Sequence, residues 1–448
     1  MAEPIISVSG LRGIIGDSLT PFEAARYAAA FAAEAPAGPL VLARDGRTTG
    51  AMLAEILRGV LSAAGRKVID AGIAATPTLG VLVTHLQAAG GVQISASHNP
   101  PEYNGLKLFS AQGQVLTAQQ GEKVLPRYQA NDFHWPDHHG VGASEILEDS
   151  FSEHLRRVLA TVDVERIRGR RFRVLLDSNH GAGGLLGRRL LDELGCEVTH
   201  LGAEPTGKFA HVAEPTEENL RPILPRIVEA GAEVGFFQDP DADRLAAADA
   251  NGRYLGEEYT LALCLDHVLA KQSGAAAANC ATSRMSEEVV KKHGGRFFRS
   301  AVGEANVVEV MRTEKAVFGG EGNGGPIDPR VGYVRDSFVG MALILDALAE
   351  GSRTLAEWAD SLPRFEIHKT KYPLQPQRLP AVFAALEERF ANEAAIDRQD
   401  GLRWDWPDGR WLLVRPSNTE PIVRAIAEAT DKQQAEQLCR EAGDVIAK

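Results

Sequence analysis

Short apolar runs recur along this chain in one context. Each leads through a polar or glycine-rich turn into an amphipathic segment, then a glycine, then another apolar run. Such runs read as strands, and apolar positions three and four apart between them read as helices. In the first copy Leu40-Val41-Leu42-Ala43 passes through Arg44-Asp45-Gly46-Arg47 into a helix predicted over 51–64, then Gly65 and a strand at 67–69. The second runs from a strand at 172–176 through a turn at 177–184 and a helix at 185–194 to Gly195 and a strand at 197–199. A third begins near Ala277, with a helix near 286–293, Gly294-Gly295 and a strand at 296–298. Strand and helix alternating in this way predict mixed α/β layers, built three times.

Between the first two copies Ile146, Leu147, Phe151, Leu155, Val158 and Leu159 mark one face of a predicted helix, and the polar stretch 131–140 before it marks a boundary. After position 364 the rhythm gives way to a helix at 379–392 and a strand at 411–414, the pattern of a smaller α+β unit. The expected division is 1–145, 146–254, 255–365 and 366–448. A chain of 448 residues suits several units, because one hydrophobic core rarely serves more than about 250–300 residues.

Charge narrows the partners. A formal net charge of −12 leaves no general basic surface for a nucleic-acid backbone, so an anionic substrate must meet a local cluster of arginines. Cys196, Cys264, Cys280 and Cys439 are scattered with no CxxC pair, which argues against a zinc ribbon and against a disulfide scaffold. The start Met1-Ala2-Glu3-Pro4 lacks a basic, then apolar, leader, and no uncharged apolar stretch of about 18 residues occurs. The expectation is a soluble cytoplasmic protein with no membrane partner; oligomeric state is not written in the sequence.

Four loops carry chemistry. In Ile94-Ser95-Ala96-Ser97-His98-Asn99-Pro100 the proline stops any helix, so Ser97 can project from a strand end with His98 beside it. Asn104-Gly105 is expected to form a tight turn that brings Lys107 back toward the serine, as a proton donor or acceptor. A strand through Val234-Gly235-Phe236-Phe237 then ends in Asp239-Pro240-Asp241-Ala242-Asp243-Arg244. Three alternating carboxylates can converge on Mg²⁺ or Mn²⁺, whereas an EF-hand would need Gly at Arg244 and Glu at Ala250. A serine is a poor phosphoryl acceptor without such a cation, so the two loops together point to phosphoryl transfer.

Gly320-Glu321-Gly322-Asn323-Gly324-Gly325 matches GxGxxG, yet Pro326 and Pro329 forbid the helix that a dinucleotide fingerprint needs. Glu321 and Asn323 instead offer an acceptor and a two-way amide suited to sugar hydroxyls. Arg415-Pro416-Ser417-Asn418-Thr419-Glu420-Pro421, followed by Arg424, gathers guanidiniums, hydroxyls and an amide into a phosphate cradle.

These four loops, in this order, with the opening Ser9-Gly10-Leu11-Arg12-Gly13, resemble those of the α-D-phosphohexomutase superfamily over the whole chain. The Gly-Asn-Gly-Gly form of the third loop looks most like the archaeal-type phosphoglucosamine mutase branch. The resemblance implies three similar mixed α/β domains and a smaller C-terminal α+β domain around a central cleft. It also implies phosphate shuttled between C6 and C1 of a hexose phosphate, through a phosphoserine at Ser97 and a bisphosphorylated sugar. On that resemblance Ser97, Asp239, Asp241 and Asp243 hold Mg²⁺, with Arg12, His98, Lys107 and Arg244 around the reacting phosphate. Glu321 and Asn323 bind the sugar; Arg415, Ser417, Asn418, Thr419 and Arg424 bind the phosphate that does not react. A hexose 1,6-bisphosphate is the implied activator.

The chain departs from the pattern in one place. Many relatives carry Ser and His where this chain has Asn323 and Gly325, so no histidine is available there for proton transfer. The expected substrate is glucosamine phosphate, with phosphoglucomutase/phosphomannomutase as the alternative. A phosphatase using the same serine and metal is the rival of another class, and a non-catalytic sugar-phosphate sensor is a third reading that the intact serine and aspartates oppose.

Overall fold

Alternate residues of the strand Leu40–Arg44 face opposite layers: Leu40 and Leu42 pack with Leu53 and Leu57, while Val41 and Ala43 pack with Leu79 and Val83. A strand apolar on both faces is covered on both, which is why the sequence shows a continuous run rather than alternation. The same holds at Arg173–Asp177, where Val174 and Leu176 enter one core and Leu175 another, and at Ala275–Asn279.

In the computed structural model, which describes residues 3–7, 10–391, 393–417 and 422–448, three of the four sheets share one four-strand order. Numbering the strands of each repeat by sequence, that order is fourth, third, first, second, with the fourth antiparallel to the third. The first repeat contains Leu40–Arg44, Val68–Ile73, Gly90–Ile94 and Tyr103–Ser110. Ile5–Ser7 and Gly10–Ile14 extend it at one edge and Ser144–Ile146 at the other. The second contains Arg173–Asp177, Glu197–Leu201, Val234–Gln238 and Leu245–Asp249. The third contains Ala275–Asn279, Arg296–Ser300, Phe318–Glu321 and Gly325–Ile327. A fourth, antiparallel sheet of five strands is formed by residues 366–429, backed by the helix Lys432–Ala447.

The helix Ser337–Glu350 is apolar almost all round and is buried along Ser337–Leu348 in the largest core, which joins the second and third repeats. No described helix is long and apolar enough to cross a membrane.

One expected helix is corrected. Residues 144–146 form a strand on the open edge of Val68–Ile73, with Ile146 71% exposed, and the helix begins only at Ser152. Backbone pairing captured the apolar residues that periodicity had assigned to the helix. The expected break between 145 and 146 therefore falls inside a strand of the first sheet.

Candidate active site

The shared strand order explains why three distant loops meet. Ser97 lies between the third and fourth strands of the first repeat, Asp239–Asp243 between those of the second, and Glu321 ends the third strand of the third repeat, with Gly322 and Asn323 between it and the fourth. One structural position has been given three chemistries.

Ser97 is buried and sits at φ +51°, a left-handed conformation that costs a non-glycine residue energy and persists only where its surroundings impose it. The constraint comes from beneath. Ser97 N donates to Ser95 Oγ at 2.8 Å, and Ser95 Oγ donates to Asp45 Oδ2 at 2.6 Å. The buried Arg47 guanidinium donates to the carbonyls of Ser97, Asn99, Pro100 and Tyr103 at 2.6–2.9 Å. Ser97 Oγ is thereby held 3.1 Å from Asp239 Oδ2 and 3.3 Å from His98 Nδ1. The Arg244 guanidinium, then burial and Arg12, hold His98 well below the ordinary imidazole range, so it is neutral.

Asp239, Asp241 and Asp243 are fully buried, and each offers a carboxylate oxygen within 4.8 Å of the others. Asp241 Oδ1 and Asp243 Oδ1 are buried and accept no hydrogen bond among the described residues, with Arg244 Nε 3.9 Å from the latter. Orphaned, converging carboxylate oxygens are the donors that a hard divalent cation takes, so these residues fit a metal. Burial, followed by Asp241 and Asp243, drives the Asp239 carboxyl well above its usual range. Burial pushes the other two upward as well, but Lys107, Thr76 and Arg335 together on Asp241, and Arg335, Lys107 and Arg244 together on Asp243, outweigh it and hold both below that range.

Lys107 does reach the site, though not as expected. Asn104-Gly105 lies within the strand Tyr103–Ser110 rather than in a turn; the reversal is at Pro100, whose carbonyl accepts from Tyr103 N at 3.1 Å. The Lys107 ammonium donates to Asp241 Oδ2 at 3.3 Å and Asp243 Oδ2 at 3.0 Å, and makes no hydrogen bond to Ser97 among the described residues. Burial disfavours its charge, but Asp243 and Asp241 outweigh that and raise its pKa.

Arg335 was not read from the sequence, and it connects the loops. It donates to Asp243 Oδ2 at 2.6 Å and Glu321 Oε2 at 2.7 Å, with Glu304 Oε2 at 3.3 Å. Glu321 Oε1 also accepts from Asn279 Nδ2 at 2.7 Å and Gly303 N at 3.2 Å. Asn323 Nδ2 donates to Glu321 Oε2 at 3.4 Å, while its own Oδ1 is buried without a partner. Leu245 N donates to Gly324 O at 2.8 Å, joining the aspartate loop to the glycine loop through backbone. A side chain on Gly324, at φ +84°, would meet Leu245 O at 2.4 Å.

His98, Arg244, Glu321 and Asn323 line a cavity of about 600 Å³ to which each of the three repeats and the last sheet contributes residues. Arg12 donates to Asn99 Oδ1 at 3.2 Å on one side. On the other stand Lys369, Lys371, Arg415 and Arg424, with Arg415 Nε donating to Asp400 Oδ2 at 2.9 Å. Ser417 adjoins Arg415 at the strand end, whereas Asn418 and Thr419, like Ser9, lie outside the described residues.

Residues 5–135, 149–252 and 257–365 match domains I, II and III of the family described as phosphoglucomutase/phosphomannomutase, alpha/beta/alpha, and residues 369–444 match its C-terminal domain. The chain belongs to this family. It is 36% identical over 433 residues to a "Phosphoglucomutase/phosphomannomutase" of Thermococcus kodakarensis, covering 95% of this chain and 94% of that one. It is 34% identical over 442 residues to a "Probable phosphoglucosamine mutase" of Methanopyrus kandleri, covering 98% and 96%. The crystal structure of a phosphoglucomutase/phosphomannomutase family protein from Burkholderia thailandensis superposes with a TM-score of 0.85 at 26% identity, over 98% of this chain and 97% of that one. The cleft is therefore that of a phosphohexomutase, an isomerase of sugar phosphates.

Proposed function

We propose that this enzyme moves phosphate between C6 and C1 of glucosamine phosphate, by way of a phosphoserine at Ser97 and a bisphosphorylated sugar. The observation that carries the serine's role is its imposed φ of +51° directly against Asp239. Loop strain of this kind is retained where it positions a reacting atom.

In the proposed cycle a sugar hydroxyl oxygen forms a bond to the phosphorus on Ser97 as the bond to Ser97 Oγ breaks. The bisphosphate then reverses in the cleft, and its other phosphate returns to Ser97. Asp239, Asp241, Asp243 and the serine oxygen would hold Mg²⁺, which when bound neutralises charge gathering on the transferring phosphate. Arg12 and Arg244 stand where they can balance the remaining charge, and the neutral His98 and Lys107 are the proton carriers nearest the serine and aspartate loops. Glu321 and Asn323 bind sugar hydroxyls; Arg415, Ser417 and Arg424, with Asn418 and Thr419, bind the distal phosphate. A hexose 1,6-bisphosphate primes the enzyme by donating phosphate to Ser97.

The Gly-Asn-Gly-Gly sugar loop and the relative from Methanopyrus kandleri support glucosamine phosphate as substrate. The higher identity to the relative from Thermococcus kodakarensis favours the second reading, glucose or mannose phosphate. Intact mass and peptide mapping after incubation with glucose 1,6-bisphosphate should find one phosphate on Ser97, and Ser97→Ala should lose essentially all mutase activity while folded. Phosphate elsewhere, or an active Ser97→Ala, removes the serine from the mechanism. Initial rates on glucosamine, glucose and mannose 6-phosphates decide between the substrate readings.

A further inference from the structure

The cleft receives anions, yet four carboxylates line it: Glu214, Glu257, Glu258 and Glu321. Three have cationic partners. Glu321 is held by Arg335 at 2.7 Å, Glu214 lies 3.6 Å from Arg244, and Glu257 lies 3.8 Å from Lys369. Glu258 has no ion pair among the described residues, and its one hydrogen bond there is from Ser283 N to Oε2 at 2.9 Å. Lys369 acts on Glu258 only from beyond ion-pair distance, and a carboxylate in a sheltered wall without a paired cation is costly unless a ligand supplies one.

Its position identifies what it faces. The Glu258 carboxyl lies over Gly322, between Glu321 and Asn323; a Cβ on Gly322 would fall 2.0 Å from Glu258 Oε2. Glycine at the tip of the sugar loop is what lets this carboxylate stand beside the two groups assigned to sugar hydroxyls. Glu258 comes from the first turn of the helix Glu257–Lys271, where the helix dipole favours negative charge.

We propose that Glu258 reads C2 of the sugar, its carboxylate receiving the ammonium of an amino-sugar phosphate. This inference rests on the glucosamine reading and supplies the C2 contact that the four loops lack. Burial lifts the Glu258 carboxyl to about 8 despite Lys369, the mark of a group short of positive charge. A ligand carrying both a phosphate and an ammonium matches a cleft lined by Arg12, Arg244, Lys371 and Arg415 as well as by this carboxylate. A hydroxyl at C2 can hydrogen-bond to Glu258 but brings no positive charge to favour its ionised form.

The test is the ratio of kcat/KM for glucosamine 6-phosphate to that for glucose 6-phosphate, at fixed Mg²⁺ and glucose 1,6-bisphosphate. Glu258→Gln should lower that ratio by roughly 10- to 100-fold, the range of a charged hydrogen bond, and Glu258→Asp should recover part of it. A loss common to both substrates leaves the ratio unchanged, so a merely structural role gives a different result. Wild-type calorimetry provides an arm independent of any variant: glucosamine 6-phosphate should bind more tightly than glucose 6-phosphate, and equal affinity overturns the proposal. If the wild type prefers glucosamine phosphate in turnover but Glu258→Gln keeps its ratio, Glu258 alone is wrong. A wild type that prefers glucose or mannose phosphate overturns the substrate reading, and the role of Glu258 with it.

Discussion

Thr76 and Asp241 meet twice: Thr76 N donates to the Asp241 carbonyl at 3.0 Å, and Thr76 Oγ1 donates to Asp241 Oδ2 at 2.5 Å. Thr76 begins a helix of the first repeat, so the aspartate loop is fixed to the unit that carries the serine. Thr76→Val keeps volume and the backbone bond but removes the hydroxyl. Mg²⁺ affinity should fall about tenfold, as when a group orienting a metal ligand is lost. Unchanged affinity by calorimetry means that Asp241 is positioned without Thr76.

Replacing Asp239, Asp241 or Asp243 by Asn should each weaken Mg²⁺ binding and lower turnover, because a full ligand charge is deleted. Excess Mg²⁺ should rescue part of the rate. Full activity in a chelator, or unaltered metal dependence in all three variants, contradicts a metal role for the loop.

Arg415→Ala should weaken sugar-phosphate binding by about 1.5–3 kcal/mol, the range of a charge-assisted hydrogen bond. Asp400, which orients Arg415, also accepts from Val302 N at 2.9 Å, so the same carboxylate ties the last sheet to the third repeat. Steady-state kinetics should show a lower kcat and a higher KM, since remote binding also orients the reacting end. Wild-type kinetics on every sugar phosphate would detach Arg415 from the site.

Asp346 tests stability rather than catalysis. It is fully buried and accepts from His267 Nε2 at 2.8 Å, Lys271 Nζ at 2.7 Å, Arg166 Nη2 at 2.6 Å and Asp163 N at 3.1 Å. Burial raises its pKa, but His267, Lys271 and Arg166 outweigh it and hold the carboxyl below its usual range. Asp346→Asn should cost about 2 kcal/mol at pH 7, less than a fully buried pair because Lys271 and Arg166 reach solvent. A depressed folded-state pKa gives stability that is present above the unfolded value of about 3.9 and lost as pH falls through the folded value. The advantage of wild type over Asp346→Asn in urea unfolding should therefore shrink below about pH 4. A difference that persists undiminished there assigns the effect to packing.

The sequence showed the parts of the site that are local. Ser97 and the three aspartates announce themselves because each loop gathers its polar residues within a few positions at a strand end, and the glycine loop was separated from a dinucleotide fingerprint by its prolines alone. Arg335, Thr76, Glu304 and Arg47 were not legible as site residues: each reaches partners in other loops, from 14 positions away for Arg335 and Glu321 to 165 for Thr76 and Asp241, and a lone arginine or threonine carries no local signal. Asn104-Gly105 shows the converse error. A pair that commonly makes a turn is held extended by the strand Gly10–Ile14 on one side and by Ser95, whose N donates to Gly105 O at 3.0 Å, on the other, with Asn104 Oδ1 accepting from Gly105 N at 2.8 Å. The repeated strand order was visible as rhythm, but that the three loops occupy one position in it was not, because pairing order is a long-range property.

The backbone bond between Leu245 and Gly324 also bears on how such a protein can be altered. No side-chain replacement at Leu245 removes its amide short of proline, so point substitution has little purchase on this contact. One residue added to either loop would slide the amide past the carbonyl and carry Asp243 and Glu321 out of register together. Length, more than composition, is what these two loops must conserve, and grafting either from another sugar-phosphate enzyme should succeed only when both are transplanted as a pair.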